Sequence, residues 1–329
     1  MPYAKERVVA IEAVRQACRL CQTVRATLVS DETMAKKDRS PVTVADFGAQ
    51  AVVVSIILAA FPGQNIVAEE DACDLRTEAG RSLKDKVVRN VRALAPALGE
   101  PEILAAIDQA MYPGGPTGRY WTLDPIDGTK GFLRGEQYAV ALALIEEGRV
   151  VLGVLGCPNL PVDPARPDGP RGCLFIAAKR TGAVVCGLDD PAEQPIAVSS
   201  VADAARASFC ESVESGHSSH DHAAAIARRL GVAVPPVRMD SQCKYAAVAR
   251  GDASVYLRLP TRSDYEEKIW DHAAGWIMVN EAGGQVTDIR GEPLDFSLGR
   301  TLRRNQGVVA TNGRVHAQVI AAVREVLGV

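Results

Sequence analysis

The sequence predicts an α/β protein in which an α+β first half carries a second, stacked α/β layer. Three features predict it. Apolar residues recur at helical spacing through the first third of the chain, strand patterns joined by glycine-containing turns follow, and from about residue 196 strand and helix patterns alternate to the end. The change of texture near residue 195 divides the chain into two expected domains, 1–195 and 196–329, and no internal repeat or low-complexity tract interrupts them.

Over residues 5–29, Val9, Ala10, Ala13, Val14, Ala17, Leu20, Cys21, Val24 and Leu28 fall on helical positions. A second helix spans 45–61, carries Asp46 in its first turn and stops at Pro62 and Gly63. Asn65, Ile66, Val67 and Ala68 form a short apolar strand that runs into Glu69, Glu70 and Asp71. A third helix over 81–98 puts Val87, Val88, Val91 and Leu94 on one side, and its Lys and Arg residues read as a solvated face. Tyr120, Trp121, Thr122 and Leu123 read as the end of a buried strand, after which Pro125 and Gly128 force a turn. Two hairpins follow, 138–145 with 150–156 and 173–178 with 183–186; the five prolines of 157–172 make the segment between them a loop with no packed structure of its own. The second half reads as strand 206–211, helix 220–230, strand 236–240, helix 242–250, strand 253–259, helix 272–282, strands 284–288 and 307–310, and helix 314–327.

With 329 residues and 47% hydrophobic content the chain can bury one large core or two medium ones. A net charge of −3 argues against a nucleic-acid or membrane partner, so an anionic substrate must be attracted locally. The eight cysteines are scattered, and Cys18 and Cys21 lie in a helical pattern without a second pair; most read as buried free thiols in a reducing compartment rather than zinc ligands. His217, His220 and His222 lack a fitting spacing for zinc and read as a polar loop. The N-terminus shows no secretory apolar core, and the apolar run 51–61 is too short to span a bilayer, which points to a cytoplasmic protein or the mature form of an organellar one.

Asp124, Pro125, Ile126, Asp127, Gly128 and Thr129 carry the densest chemical signal. Two acids crowded at a strand end repel each other unless a divalent cation sits between them, and Mg²⁺ accepts hard carboxylate oxygens. The amides of Gly128 and Thr129 stand at a potential helix start, where phosphate is welcome. A lone pair of this kind reads as an Asp-rich surface turn; the Glu69–Glu70 strand end and Trp270, Asp271, His272, Ala273, Ala274, Gly275 shift the balance. Together the three segments resemble the lithium-sensitive, magnesium-dependent phosphomonoesterase superfamily that includes inositol monophosphatase and fructose-1,6-bisphosphatase. Val213 to Asp221, Met239 to Tyr245 and Val255 to Pro260, with Lys130 and Gly131, look like the nucleotide-binding segments of 3′(2′),5′-bisphosphate nucleotidases. One departure is Ala68, where many relatives carry Gly.

The resemblance implies an αβαβα sugar-phosphatase fold with a metal-binding first domain and a nucleotide-binding second one. It implies Glu69, Asp124 and the Ile126 carbonyl at one Mg²⁺, Asp124, Asp127 and Asp271 at a second, a weaker third beside Glu69, and inhibition by Li⁺. It implies a Thr129–Asp46 relay that orients the attacking water; Asp46 and Asp271 read alone as helix-start acids. The expected reaction is removal of the 3′-phosphate of 3′-phosphoadenosine 5′-phosphate, and of its sulfated precursor. An inositol polyphosphate 1-phosphatase or inositol monophosphatase is the rival, and a non-catalytic nucleotide or metal sensor a second. Gly128, Thr129, His217, Ser241, Lys244 and Arg258 are the expected substrate contacts, Ser241 and nearby amides lying at a positive helix end. Arg258 alone would read as a surface salt bridge to Asp264, Glu266 or Glu267.

Overall fold

The computed structural model describes residues 2–27, 33–35, 41–214, 216, 218–262 and 264–329. The chain opens with α1 (Ala4–Thr27), the hairpin β1 (Thr33–Ala35) and β2 (Pro41–Thr43), and α2 (Val44–Ala60). It continues through β3 (Asn65–Ala68), α3 (Arg81–Leu94), α4 (Glu100–Asp108), β4 (Arg119–Asp127) and α5 (Thr129–Arg134). Five strands follow: β5 (Ala139–Glu146), β6 (Arg149–Pro161), β7 (Arg171–Ala178), β8 (Ala183–Gly187) and β9 (Gln194–Ile196). The second half holds β10 (Phe209–Glu211), α6 (His220–Arg229), β11 (Val237–Arg238), α7 (Cys243–Arg250), β12 (Val255–Arg258), α8 (Ala273–Glu281), β13 (Gln285–Thr287), β14 (Val308–Thr311) and α9 (His316–Leu327). Among the described residues, β3 to β9 make a seven-stranded sheet in chain order, and a five-stranded sheet runs β11-β10-β12-β14-β13.

The two-residue period of the strands builds the layers. Val140, Leu142 and Leu144 of β5 enter a core shared with α1 to α4, while Ala139, Ala141 and Ala143 face α7 and α8. In β12, Tyr256 joins that same α7–α8 core, and Val255 and Leu257 join a third core with α6 and α9. The order is therefore αβαβα, with α7 and α8 packed against both sheets. Small residues bring α8 close: a Cβ at Gly153 would lie 2.6 Å from Ile277, and one at Gly275 would lie 2.2 Å from the Tyr245 ring.

Two of the differences from expectation concern where elements begin and end. The third helix ends at Leu94, and α4, which the periodicity did not reveal, begins beyond Gly99 with Pro101 in its first turn, where a missing N–H costs nothing. The proline-rich stretch is strand at both ends, leaving only 162–170 as loop. Cys157 faces Cys173 and Pro161 faces Arg171, so four steps on β6 match two on β7; this irregularity accommodates Pro158, whose ring cannot serve a ladder. Ala68 has no positive φ, so its methyl brings no backbone strain.

His316 opens α9, its ring nitrogens meeting the Thr311 and Thr287 hydroxyls at 3.0 and 3.1 Å, and burial pushes its pKa down to about 4. The folded chain thus keeps the ring neutral while the unfolded chain titrates near 6.5. Stability from this group is full above about pH 6.5 and declines as pH falls toward about 4. His316→Gln should remove that dependence: between pH 7.5 and 5.0, urea unfolding should cost the parent about 2 kcal/mol more than the variant.

Candidate active site

In an unbroken strand, residues three apart point to opposite faces. Asp124 pairs with Ala141 and Asp127 with Ala139, so β4 carries one extra residue, and this bulge returns Asp127 to the side of Asp124. The Ile126 N–H donates to Asp124 Oδ1 at 3.1 Å and holds the bulge. The strand thus continues through Pro125, and the chain turns only at Gly128, whose φ of +87° is left-handed. A Cβ at Gly128 would meet Ser241 Cβ at 2.9 Å, and one at Gly131 would meet Gln137 O at 2.1 Å. Asp124, Ile126, Asp127, Gly128 and Thr129 line one cleft of about 760 Å³ together with Glu69, Ser241, Lys244, Arg258 and Asp271.

At the end of β3 the two glutamates separate. Glu69 is exposed and lines the cleft; Glu70 is buried. Gln50, a residue the sequence reading passed over, causes this. Its Nε2 donates to Glu70 O at 2.7 Å and Ile107 O at 2.9 Å, and its Oε1 accepts the Glu70 N–H at 3.0 Å. A fully buried amide inside an apolar helix was the available signal. Asp46, in the first turn of α2, is buried, and Thr129 donates its hydroxyl to Ile126 O at 3.3 Å.

From the second half, Ser241 adopts φ +66°, which turns the following amide back toward β4. The Gln242 N–H donates to Asp127 Oδ2 at 2.5 Å, and the Cys243 N–H to Ser241 Oγ at 3.2 Å. The amides expected to receive a phosphate at this helix start are thus committed within the protein, one of them to a candidate metal ligand. Gln242, also unanticipated, donates Nε2 to Trp270 O at 2.9 Å and accepts the Gly275 N–H at 3.0 Å, tying α7 to the segment that carries Asp271.

Arg258 pairs with Glu267 at 2.8 Å and Asp271 at 3.3 Å. The salt bridge to Glu267 weighed from the sequence is present, but it is buried and shared with Asp271, so Arg258 does not present its whole fork to a ligand. Glu267, Asp271 and His272 place ligand atoms within 4.8 Å of one another, a grouping that could hold a metal ion. His272 spends Nδ1 as acceptor from the Tyr245 hydroxyl at 2.8 Å and Nε2–H as donor to Glu267 at 3.0 Å. Burial alone would raise the Glu267 pKa, but Arg258 and His272 hold it at about 2. Lys244 is buried, donates to Met239 O at 3.2 Å and lies 5.2 Å from the Tyr256 ring centroid; burial pushes its pKa down. Lys130 pairs with Glu214 at 3.2 Å. His217 lies outside the described residues; His220 bonds Ser212 O at 2.9 Å.

Burial drives the Asp124 carboxyl well above its ordinary pKa, and the charges of Glu69, Asp127, Asp271 and Asp46 add to it. Burial also raises Asp271 and Asp127, against the opposing charges of Arg258 and of Lys244 with Arg258 respectively. Full ionisation of the cluster is therefore opposed, and Lys244 and Arg258 offset only part of the cost. Hard oxygens so gathered fit a divalent cation.

The inositol monophosphatase family profile matches residues 3–327, and the chain belongs to that family. It is 48% identical to a 3′(2′),5′-bisphosphate nucleotidase of Emericella nidulans, over 99% of both chains, and 45% identical to one of Schizosaccharomyces pombe, over 99% of this chain and 97% of that one. Among solved structures, the Thermotoga maritima IMPase aligns with a TM-score of 0.66 at 23% identity, covering 97% of this chain and 96% of its own. An Anabaena inositol monophosphatase aligns at 0.62 and 22% identity, over 99% and 97%. These likenesses show the expected fold. Among the described residues no helix is long and apolar enough to cross a membrane.

Removing one charge should relieve the crowding when no cation offsets it. Asp127→Asn keeps an oxygen for the Gln242 N–H, so its thermal midpoint in excess EDTA should match the parent's or exceed it by roughly 1–3 °C. A clear drop would mean that the carboxylate is already balanced inside the protein.

Proposed function

We propose that the chain is a Mg²⁺-dependent 3′(2′),5′-bisphosphate nucleotidase. Its substrate is 3′-phosphoadenosine 5′-phosphate, cleaved to AMP and phosphate, with 3′-phosphoadenosine 5′-phosphosulfate as a second substrate. The observation that carries this reading is a single cleft in which the carboxylates of Glu69, Asp124, Asp127 and Asp271 adjoin buried Lys244 and half-buried Arg258, in a chain 48% identical to a nucleotidase. A cyclitol monophosphate would leave Lys244 without a second anion to pair with, and a non-catalytic sensor would need no water-orienting pair. Residues 1–195 supply most of the carboxylates and 196–329 the cationic contacts, which is how the two-domain division is best understood. A cytoplasmic location accords with the eight free thiols.

Two to three Mg²⁺ ions fit the oxygen set: Glu69, Asp124 and the Ile126 carbonyl for one, Asp124, Asp127 and Asp271 for another, with a weaker position beside Glu69. When bound they neutralise the phosphoryl oxygens, favour ionisation of the water and stabilise the leaving alkoxide. The chain itself orients the reactants. Thr129 trades its long bond to Ile126 O for one to Asp46, which receives the threonine proton as the threonine oxygen accepts a proton of the attacking water, and the departing O3′ takes its proton from solvent water. The new P–O bond forms opposite the breaking P–O3′ bond, without a covalent enzyme intermediate. Gly128 and Thr129 border the scissile phosphate, while Ser241, Lys244, Arg258 and His217 serve the 5′-phosphate and base.

Lys244 acts remote from the scissile bond, so its loss should raise KM more than it lowers kcat. A charge-assisted bond to phosphate contributes roughly 1.5–3 kcal/mol, and Lys244→Ala should lower kcat/KM for the bisphosphate nucleotide about ten- to a hundredfold. Hydrolysis of 3′-AMP should be poor at the outset and change far less. An equal loss on both substrates would assign Lys244 to the fold or the metal site.

Li⁺ is a small hard cation that can enter a weak Mg²⁺ position without its second charge. Phosphate release in LiCl should fall at concentrations where NaCl has no effect. Equal rates in matched salts would overturn the proposed cation chemistry.

A further inference from the structure

Residues 300–302 run beside the segment that leads to Asp271. The Ile269 N–H donates to Arg300 O at 3.1 Å, the Leu302 N–H donates to Glu267 O at 2.8 Å, and Lys268 bridges Thr301. From this position the Arg300 guanidinium crosses to the first half of the chain. Its Nη2 donates to Ala68 O at 2.6 Å, and its Nη1 donates to Tyr112 O at 3.3 Å and Ala110 O at 3.5 Å. Its plane lies 4.8 Å from the Trp270 ring centroid. Ala68 directly precedes Glu69, and Trp270 directly precedes Asp271.

Among the described residues no ion pair involves Arg300. Its charge is spent on backbone carbonyls and an aromatic face, and burial pushes its pKa down. Holding a cation there without a counter-ion costs stability, so it is a poor solution if stability alone is the purpose. The planar fork, however, serves three carbonyls and lies over an aromatic face at the same time, which an ammonium cannot do.

We infer that Arg300 is a positioning residue for the cation site: one guanidinium sets the separation between Glu69, from the first half, and Asp271, from the second. Arg300 is not among the residues that line the cleft. It fixes the backbone next to two oxygen donors that are otherwise far apart in sequence. The inference rests on the reading of these carboxylates as Mg²⁺ ligands.

The test is calorimetric titration of Mg²⁺ into nucleotide-free parent, Arg300→Lys and Arg300→Gln, with thermal midpoints measured in EDTA. Residues that orient metal ligands typically change affinity by ten- to a hundredfold. Arg300→Lys should fold with a midpoint near the parent's, bind Mg²⁺ about tenfold more weakly, and raise the Mg²⁺ concentration for half-maximal phosphate release by a similar factor. KM for the nucleotide at saturating Mg²⁺ should stay unchanged. Parental Mg²⁺ affinity in Arg300→Lys would overturn the inference, whether or not the midpoint falls, because a purely structural arginine changes only the midpoint. Should Arg300→Gln not fold, the lysine variant decides alone. Failure of the parent itself to bind Mg²⁺ would overturn the Mg²⁺ reading and this inference with it, a result distinct from equal binding by parent and variant.

Discussion

The mutual repulsion of carboxylates gathered around buried Asp124 is the constraint on which the rest of this structure depends. Asp124 sits in a low-dielectric position with Glu69, Asp127, Asp271 and Asp46 close enough to raise its pKa. Left to itself such a cluster would protonate or open. Each acid is instead anchored through its backbone or a neighbouring dipole: the β4 bulge holds Asp124 and Asp127, Gln50 holds the strand end that bears Glu69, and Gln242 grips both Asp127 and the Trp270 carbonyl beside Asp271. The amide groups fix positions without cancelling charge, which leaves the negative potential available to a cation.

The full positive charges are arranged at the perimeter. Arg258 offsets part of the Asp271 charge while also binding Glu267, and Glu267 in turn fixes the tautomer of His272. Lys244 stands desolvated beside them, its charge opposed by burial and supported by Asp127. The cleft is thus divided into an acidic floor and a cationic wall, an arrangement suited to a ligand with two separated anionic groups bridged in part by metal. The middle helical layer makes this possible, since α7 and α8 pack on both sheets and carry the second-half residues up to the end of β4.

Local chemistry accounts for what could be read directly. The 3.6-residue period of α1 and α2, the two-residue period of β5, and the Pro62–Gly63 stop are properties of short segments, and they survive into the fold. The acids of the site stood out only as three segments that together resemble a known family, since an Asp pair at a strand end reads alone as a surface turn. Elements whose existence depends on distant partners were harder to see. The outer parts of β6 and β7 are strand despite their prolines because they pair with each other across an irregularity, and α4 is held by a core it shares with α2.

The sequence by itself determined the layered α/β class and the presence of basic residues near Met239 to Leu259, because each is written in residue type and spacing, while its resemblance to a known family singled out the candidate metal-binding acids. Only the tertiary structure decided which way these groups face. It returned Asp127 to the side of Asp124 through one extra residue in β4, turned the Gln242 amide onto Asp127 rather than toward the open cleft, and drew Arg258 into a pair with Asp271. It also brought Arg300 to the Ala68 carbonyl across 232 positions of sequence. A side chain's type is local, but its direction and its partners are set by how strands register and how layers stack.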